Sequence, residues 1–440
     1  LLLCMAGFAL ILIKPASKRI YTRDGFAIVS FSWLAVSFFG SLPFIFSGAI
    51  PSFVDALFES VSGFSTTGST ILTQVENLPR GILFWRSFTH FVGGMGVLVL
   101  TIAVLPYAGA ENVHIMKAES SGPDPEKLVP KIGRSSKILY AIYIVMTIVL
   151  VILLVISGLP LYDSVIHALG TAGTGGFSSR SLSVGLYNNV YAEVIIAVFM
   201  FLFGINFTLY YQTLKGNPRS FIKNNEFRFY LGVTLAAIAA ITLNLWGNVF
   251  ATFGESLRHA SFQVSSIITT TGYSTTDFNL WPTFSKTVLV LLMFIGASAG
   301  STGGGIKCIR ILVLLKIAKR EVLRIIHPRS VYTVKVDGKA LDENKLLAIL
   351  SFFFVYLAIF VSSVLLVSLD GKDLVSTVTA VAATINNVGP GLGMVGPYGS
   401  FADFSALSKL VCTFCMIVGR LEIYPVLMIF APVFWKKVNI

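Results

Sequence analysis

DALFESVSGFSTTGS, residues 55–69, decides how the rest of the chain is read. It opens on an acid, continues for about a dozen amphiphilic residues, and ends in a run of Thr, Ser and Gly. A membrane-spanning helix needs about 20 apolar residues, so this segment is too short to cross. Runs that are long enough flank it at 26–46 and 82–106. A short helix between two spans is expected to enter the membrane and turn back within it. Asp55 suits the free N–H groups and positive dipole end at its start. The carbonyl end then points to the membrane middle, where partial negative charge favours a cation.

The same pattern returns three times, as DSVIHALGTAGTGGF from Asp163, ESLRHASFQVSSIITTTGY from Glu255, and DLVSTVTAVAATINNVGPG from Asp373. The matching glycines, taken as Gly68, Gly175, Gly272 and Gly389, fall roughly a hundred residues apart. Gly, Ser and Thr are common turn residues, and one such stretch would be an ordinary loop. Four, each behind a short helix and inside an apolar hairpin, make a repeat.

Composition agrees. Of 440 residues, 55% are hydrophobic and 12% charged, with mean hydropathy +0.80; soluble domains carry roughly 25% charged residues. Further apolar runs lie at 138–157, 190–214, 229–247, 284–298, 346–369 and 406–434. The chain opens with Leu, and residues 1–13 are expected to be the remnant of another helix, since they lack the flanks of a signal peptide. The net charge of +12 gathers at Lys14–Arg23, Lys117–Lys137, Lys215–Arg228, Lys307–Lys339, Lys436 and Lys437, while the alternate connections are mixed in sign. That is the positive-inside pattern, which places the basic loops in the cytoplasm, and it removes the need for a nucleic-acid partner. Cys4, Cys308, Cys412 and Cys415 lie in or beside apolar helices; the C-x-x-C pair has no second pair of ligands, so no zinc site is expected.

If both long helices of every repeat end on the basic side, the repeats are parallel about an axis normal to the membrane. The expected fold is therefore an all-α polytopic membrane protein, with four helix–re-entrant loop–helix repeats around a central pseudo-fourfold pore. Its parts would be the helix remnant at 1–13, repeat 1 at 24–108, a cytoplasmic linker at 109–137, repeat 2 at 138–215, repeat 3 at 226–329, a second linker at 330–342, and repeat 4 at 343–437.

The chemistry sits after each short helix: Thr66, Thr67 and Gly68; Gly173, Thr174 and Gly175; Thr270, Thr271 and Gly272; Asn387, Val388 and Gly389. Extended backbone there can present carbonyl oxygens that replace an ion's hydration shell. None of these stretches holds a carboxylate, so neutral oxygens would bind a monovalent cation that must also leave. The outgoing helix of repeat 3 breaks into ten small residues, Gly296, Ala297, Ser298, Ala299, Gly300, Ser301, Thr302, Gly303, Gly304 and Gly305. Bare backbone in mid-membrane is tolerated only beside protein or water, which suggests a gating plug under the ion path; close helix packing is the other reading. Arg420, inside the last apolar run, should face a cavity or a partner. It is either a charge barrier in the pore or one half of a salt bridge to another repeat.

With GSTGGGIK (Gly300–Lys307), GRLEIYP (Gly419–Pro425) and the four glycine-centred stretches in order, the chain resembles the bacterial TrkH-type members of the Trk/Ktr/HKT potassium transporter superfamily. The resemblance covers essentially the whole chain. It implies potassium ions as substrate, bound at the four stretches, with a gating loop near Ser298–Gly305 and a pore-facing Arg420. It also implies a homodimer, a membrane-lipid environment, and a cytoplasmic nucleotide-binding ring subunit, while no cofactor belongs to this chain. In the family, Ser in place of the first-repeat glycine goes with sodium permeation, so Gly68 points to potassium. Gly173 and Asn387 depart from the Thr expected at their places.

Two rivals remain. A potassium symporter coupled to proton or sodium would need a titratable relay in the membrane, for which Glu422 is the one obvious acid. An intramembrane serine hydrolase fits Gly296-x-Ser298-x-Gly300 by pattern but lacks the strand–turn–helix setting of that motif.

Overall fold

The computed structural model describes residues 22–96 and 132–435. The expected remnant at 1–13, most of the first linker, Cys4 and the basic residues at 14–21, 117–131, Lys436 and Lys437 lie outside the described residues.

Four units follow one another. The first is α1 (Thr22–Phe46), α2 (Phe53–Phe64) and α3 (Arg80–Gly94). The second is α4 (Ile132–Ile156), α5 (Leu161–Gly173), α6 (Val190–Phe203) and α7 (Phe207–Leu214), followed by the single turn α8 (Arg219–Lys223). The third is α9 (Asn225–Leu245), α10 (Phe253–Ile268), α11 (Thr283–Ile295) and α12 (Cys308–Ile326). A small antiparallel hairpin, β1 (Lys335–Val336) with β2 (Lys339–Ala340), leads to the fourth. That unit is α13 (Glu343–Val367), α14 (Leu374–Ile385), α15 (Ala406–Arg420), α16 (Tyr424–Phe430) and α17 (Pro432–Trp435).

Among the described residues, four helices are long and apolar enough to cross a membrane, or six if each of two bent pairs counts as one span. The four are the opening helices of the four units. Their outward faces are apolar: Ile144, Val145, Ile148, Val149 and Ile152 of α4 are all exposed. The short helices are the reverse. Every residue from Thr379 to Ile385 of α14 is buried, although three of that helix's residues are Thr. Polar groups inside and apolar groups outside are what lipid as the outer solvent demands.

The units close a circle. The outgoing helix of each packs on the short helix of the next: α3 on α5, α6 on α10, α11 on α14, and α15 back on α2.

Three details differ from the sequence reading. The acids at the starts of the short helices are mostly not the caps. Ser52 and Thr252 accept from the N–H groups of Asp55 and Glu255, Pro160 precedes α5, and Asp373 alone caps its own helix, accepting from Ser376 N–H at 2.9 Å. The run at 190–214 is not one helix but bends by 89° at Gly204–Asn206, where Asn206 Oδ1 accepts from Thr208 N–H and starts α7. The last apolar run also breaks, by 120°, because Glu422 and Ile423 both adopt positive φ ahead of Pro425. Arg420 therefore ends a helix instead of lying within one.

Candidate ion pathway

Each short helix ends in the same way. Thr66, Thr174, Thr270 and Asn387 have φ of 58°, 54°, 58° and 54°. Their N–H groups donate three residues back, to the carbonyls of Gly63, Thr171, Ile267 and Thr384. The next N–H groups, of Thr67, Gly175, Thr271 and Val388, donate five residues back, to Ser62, Gly170, Ser266 and Ala383. This is the Schellman closure, usually made with Gly at the left-handed position. Here three of the four are Thr, a β-branched residue for which positive φ is a genuine outlier. Such strain costs of order 1–3 kcal/mol per residue and gathers at functional sites.

That closure sets the register. The second left-handed residue in each strand is Gly68, Gly176, Gly272 or Gly389, with φ of 80°, 81°, 86° and 98°. The second strand is thus aligned one residue later than the sequence suggests. Gly176, not Gly175, matches Gly68; Gly175 matches Thr67; and Gly173 is the last residue of α5.

The four strands form a ring. A Cβ placed on Gly68 would lie 1.9 Å from the Gly175 carbonyl oxygen; on Gly176, 2.0 Å from that of Thr271; on Gly272, 2.3 Å from that of Val388; and on Gly389, 2.6 Å from that of Thr67. Each strand abuts the next, and the fourth returns to the first. A second ring lies just beyond it. Val75 N–H donates to Ser181 Oγ at 3.1 Å, Gly185 N–H to the Ser274 carbonyl at 3.1 Å, Asn279 Nδ2 to the Gly393 carbonyl at 3.2 Å, and Phe401 N–H to the Thr70 carbonyl at 2.8 Å. Burial opposes ionisation of Glu76 in this outer layer, but hydrogen bonds from the Ser181 hydroxyl and backbone N–H groups hold its pKa below the ordinary carboxylate value. Gly68, Gly176, Gly272 and Gly389 all line one cavity at the mouth of the ring.

On the other side of the ring lies the small-residue segment. Gly303 and Gly304 come so close to the Thr269 and Asn386 carbonyls that added Cβ atoms would lie 2.9 and 2.7 Å away. Gly304 N–H donates to Thr270 Oγ1 at 2.6 Å. The bend between α6 and α7 holds the other flank: Ser298 N–H donates to the Gly204 carbonyl and Phe207 N–H to the Gly300 carbonyl. Among the described residues, Ser298 Oγ itself has no hydrogen-bond partner. Glu226, 5% exposed at the start of α9, accepts from Ala299 N–H at 2.7 Å and from Ile309 N–H at 3.2 Å, the latter in the first turn of α12. Lys307 Nζ is buried and donates to the Gly303 carbonyl.

Arg420 closes the arrangement from the fourth unit. It donates to the Gly93 and Gly94 carbonyls at 2.5 and 2.7 Å, to the Thr302 carbonyl at 2.8 Å, and to Thr66 Oγ1 at 3.2 Å. A cation suits the carbonyl end of α3. The guanidinium thus joins a strand of the ring, the small-residue segment and α3. Glu422, two residues on, pairs instead with Arg310 of α12.

The sequence matches the TrkH family, described as cation transport protein, over residues 1–437. The chain belongs to the TrkH family. It is 39% identical to the Trk system potassium uptake protein TrkH of Salmonella typhimurium, over 94% of this chain and 86% of that protein. It is 36% identical to the Trk system potassium uptake protein TrkG of Escherichia coli K12, over 99% and 90%. Its fold superposes on the crystal structure of the potassium transporter TrkH from Vibrio parahaemolyticus with a TM-score of 0.89 at 35% identity, covering 99% of this chain and 90% of that one. TrkH-family chains are transport proteins, not enzymes, which sets aside the hydrolase reading of Ser298.

Several residues of this TrkH-family site escape the sequence reading. Glu59 of α2 is fully buried, accepts from Thr70 Oγ1 and Ile71 N–H, and pairs with Arg86 of α3 at 2.8 Å. Arg86 also reaches the Ser178 carbonyl and stacks 4.0 Å from the Phe177 ring. A second acid four residues after Asp55, within a segment otherwise destined for burial, was the available signal. Glu226 and His90 gave none, since one lies at a helix start among other polar residues and the other in an apolar run.

Proposed function

We propose that this chain conducts potassium ions across the bacterial inner membrane through a gated, channel-like pore. The closed ring of four glycine-centred strands carries the reading. Each strand follows the carbonyl end of a short helix, and each glycine abuts the backbone of the next strand. The filter residues are Thr66, Thr67 and Gly68; Thr174, Gly175 and Gly176; Thr270, Thr271 and Gly272; and Asn387, Val388 and Gly389. The repeats at 24–108, 138–215, 226–329 and 343–437 each supply one strand. Relatives named potassium uptake proteins support potassium as the ion.

Gly296–Gly305 is the gate, held shut under the ring by Arg420, Thr270, Glu226 and the bend at Gly204–Asn206. Basic connections face the cytoplasm. In support, the segments 215–228 and 307–339 meet on one side, where Asp337 accepts from Asn225 N–H at 2.6 Å and from Asn224 Nδ2 at 3.0 Å. A homodimer with a cytoplasmic nucleotide-binding ring is the assembly that the family resemblance implies.

The deciding measurement is the reversal potential of purified protein in liposomes under a potassium gradient, with sodium and pH varied in turn. A potential that follows potassium alone is expected; one that moves with sodium or pH overturns passive selective flow in favour of coupling. Glu226→Ala, which frees the Ala299 and Ile309 N–H groups from their acceptor, should raise basal potassium flux about threefold, given roughly 0.5–1.5 kcal/mol net per hydrogen bond. Glu226→Gln keeps the accepting oxygen and should stay near wild type.

A further inference from the structure

The second strand of the ring lacks the internal hydroxyl ties that hold the first and third. In the first, Thr67 Oγ1 bonds Ser65 Oγ at 2.7 Å, and Ser62 Oγ donates to the Ser69 carbonyl at 2.6 Å. In the third, Thr271 Oγ1 bonds Thr269 Oγ1 at 2.8 Å, and Ser266 Oγ donates to the Tyr273 carbonyl at 2.6 Å. The equivalent residues of the second strand are Gly175, Gly173 and Gly170, none of which has a hydroxyl. With two adjacent glycines at 175 and 176, it is also the strand freest to change conformation.

The missing ties come from outside. The Tyr273 hydroxyl of the third strand donates to the Phe177 carbonyl at 3.2 Å and fills the space over Gly170, where a Cβ would lie 2.3 Å from it. The fully buried His90 ring of α3 fills the space over Gly175, where a Cβ would lie 2.3 Å from Cγ and Nδ1. Its Nδ1 lies 2.8 Å from the Gly63 carbonyl oxygen, and its Nε2 lies 3.2 Å from the Phe177 nitrogen. The partners fix its protonation. A carbonyl can only accept, so Nδ1 carries the proton; a backbone N–H can only donate, so Nε2 is a bare acceptor.

We infer that His90, as a neutral imidazole, is a specificity-determining positioning residue for this pore, holding the second filter strand in register with the end of α2. The inference rests on the potassium-pore reading above. A ring carrying one donor and one acceptor on opposite edges spans Gly63 and Phe177 at once. The same ring also covers Gly175. Arg86, one turn earlier on α3, clasps the adjacent Ser178 carbonyl, so α3 of the first repeat acts as the outer wall of the second strand.

The test is the potassium-over-sodium permeability ratio, from reversal potentials of purified protein in liposomes. His90→Leu fills the space without either bond and should lower the ratio about fivefold, the factor equivalent to one hydrogen bond of about 1 kcal/mol. His90→Asn keeps a donor for Gly63 but falls short of Phe177, and should also lower it. His90→Gln reaches Phe177 N–H with Oε1 and should recover most of the ratio, which a role in bulk packing alone would not predict. A wild-type ratio in both His90→Leu and His90→Asn overturns the inference. If His90→Leu does not fold, the Asn and Gln pair decides: equal ratios in the two overturn it, and a lower ratio in Asn supports it. Wild-type protein without a potassium-driven potential would instead overturn the pore reading itself.

Discussion

Gly68→Ser is expected to lower the potassium-over-sodium permeability ratio about tenfold or more, as read from reversal potentials in liposomes. Two costs coincide at this residue. Its φ of 80° is a conformation that costs an L-residue roughly 1–2 kcal/mol. Its added Cβ would lie 1.9 Å from the Gly175 carbonyl oxygen, a backbone atom that no side-chain rotation can clear. The first strand must shift, and the carbonyl that moves with the clash belongs to the second. About 1.4 kcal/mol of differential ion binding is a factor of ten, and the combined costs exceed that. Gly81→Ala is the control: Gly81 lies in α3 with open space around it, and its substitution should leave the ratio unchanged. An unchanged ratio in Gly68→Ser would remove the ring from ion selection.

Arg420→Ala should raise potassium flux about tenfold or more. Two like unit charges about 8 Å apart at an effective dielectric of 20 repel by about 2 kcal/mol, the order of barrier that a guanidinium beside the proposed ion path would raise. The side chain also anchors the small-residue segment through the Thr302 carbonyl, so its loss removes a barrier and a restraint together. Arg420→Lys separates these contributions. Lys keeps the charge but not the planar fork that meets Gly93, Gly94 and Thr302 at once, and its flux should fall between the other two. If Arg420→Ala leaves flux unchanged, the guanidinium is a structural tie and not a barrier.

The four short helices were legible because each combines an acid, a length too short to span and a Thr/Ser/Gly tail, and all four are present. The cyclic order followed from the parallel repeats. Register in the second strand was not legible: Gly175 and Gly176 look alike in sequence, and only the hydrogen bonds three and five residues back tell them apart. The bend at Gly204–Asn206 was hidden because Gly-Ile-Asn interrupts an apolar run without lowering its hydropathy much. Arg420 was visible as a costly charge, yet its partners are backbone carbonyls from α3 and the small-residue segment, and carbonyls leave no trace in side-chain identity. His90 was not legible, because its contacts are two backbone groups far apart in sequence.

The ring, as the proposed filter, has a consequence for how its four strands can diverge. All four strands lie on one polypeptide, so a single substitution enters every pore once, at one known position. In an assembly of four identical chains the same change would arrive fourfold. Here each quarter can differ from the others, and the four do differ: Thr, Thr, Thr and Asn share one position, and Thr, Gly, Thr and Val the next. Covalent linkage also fixes stoichiometry, since no defective copy can be mixed into a pore built from sound ones.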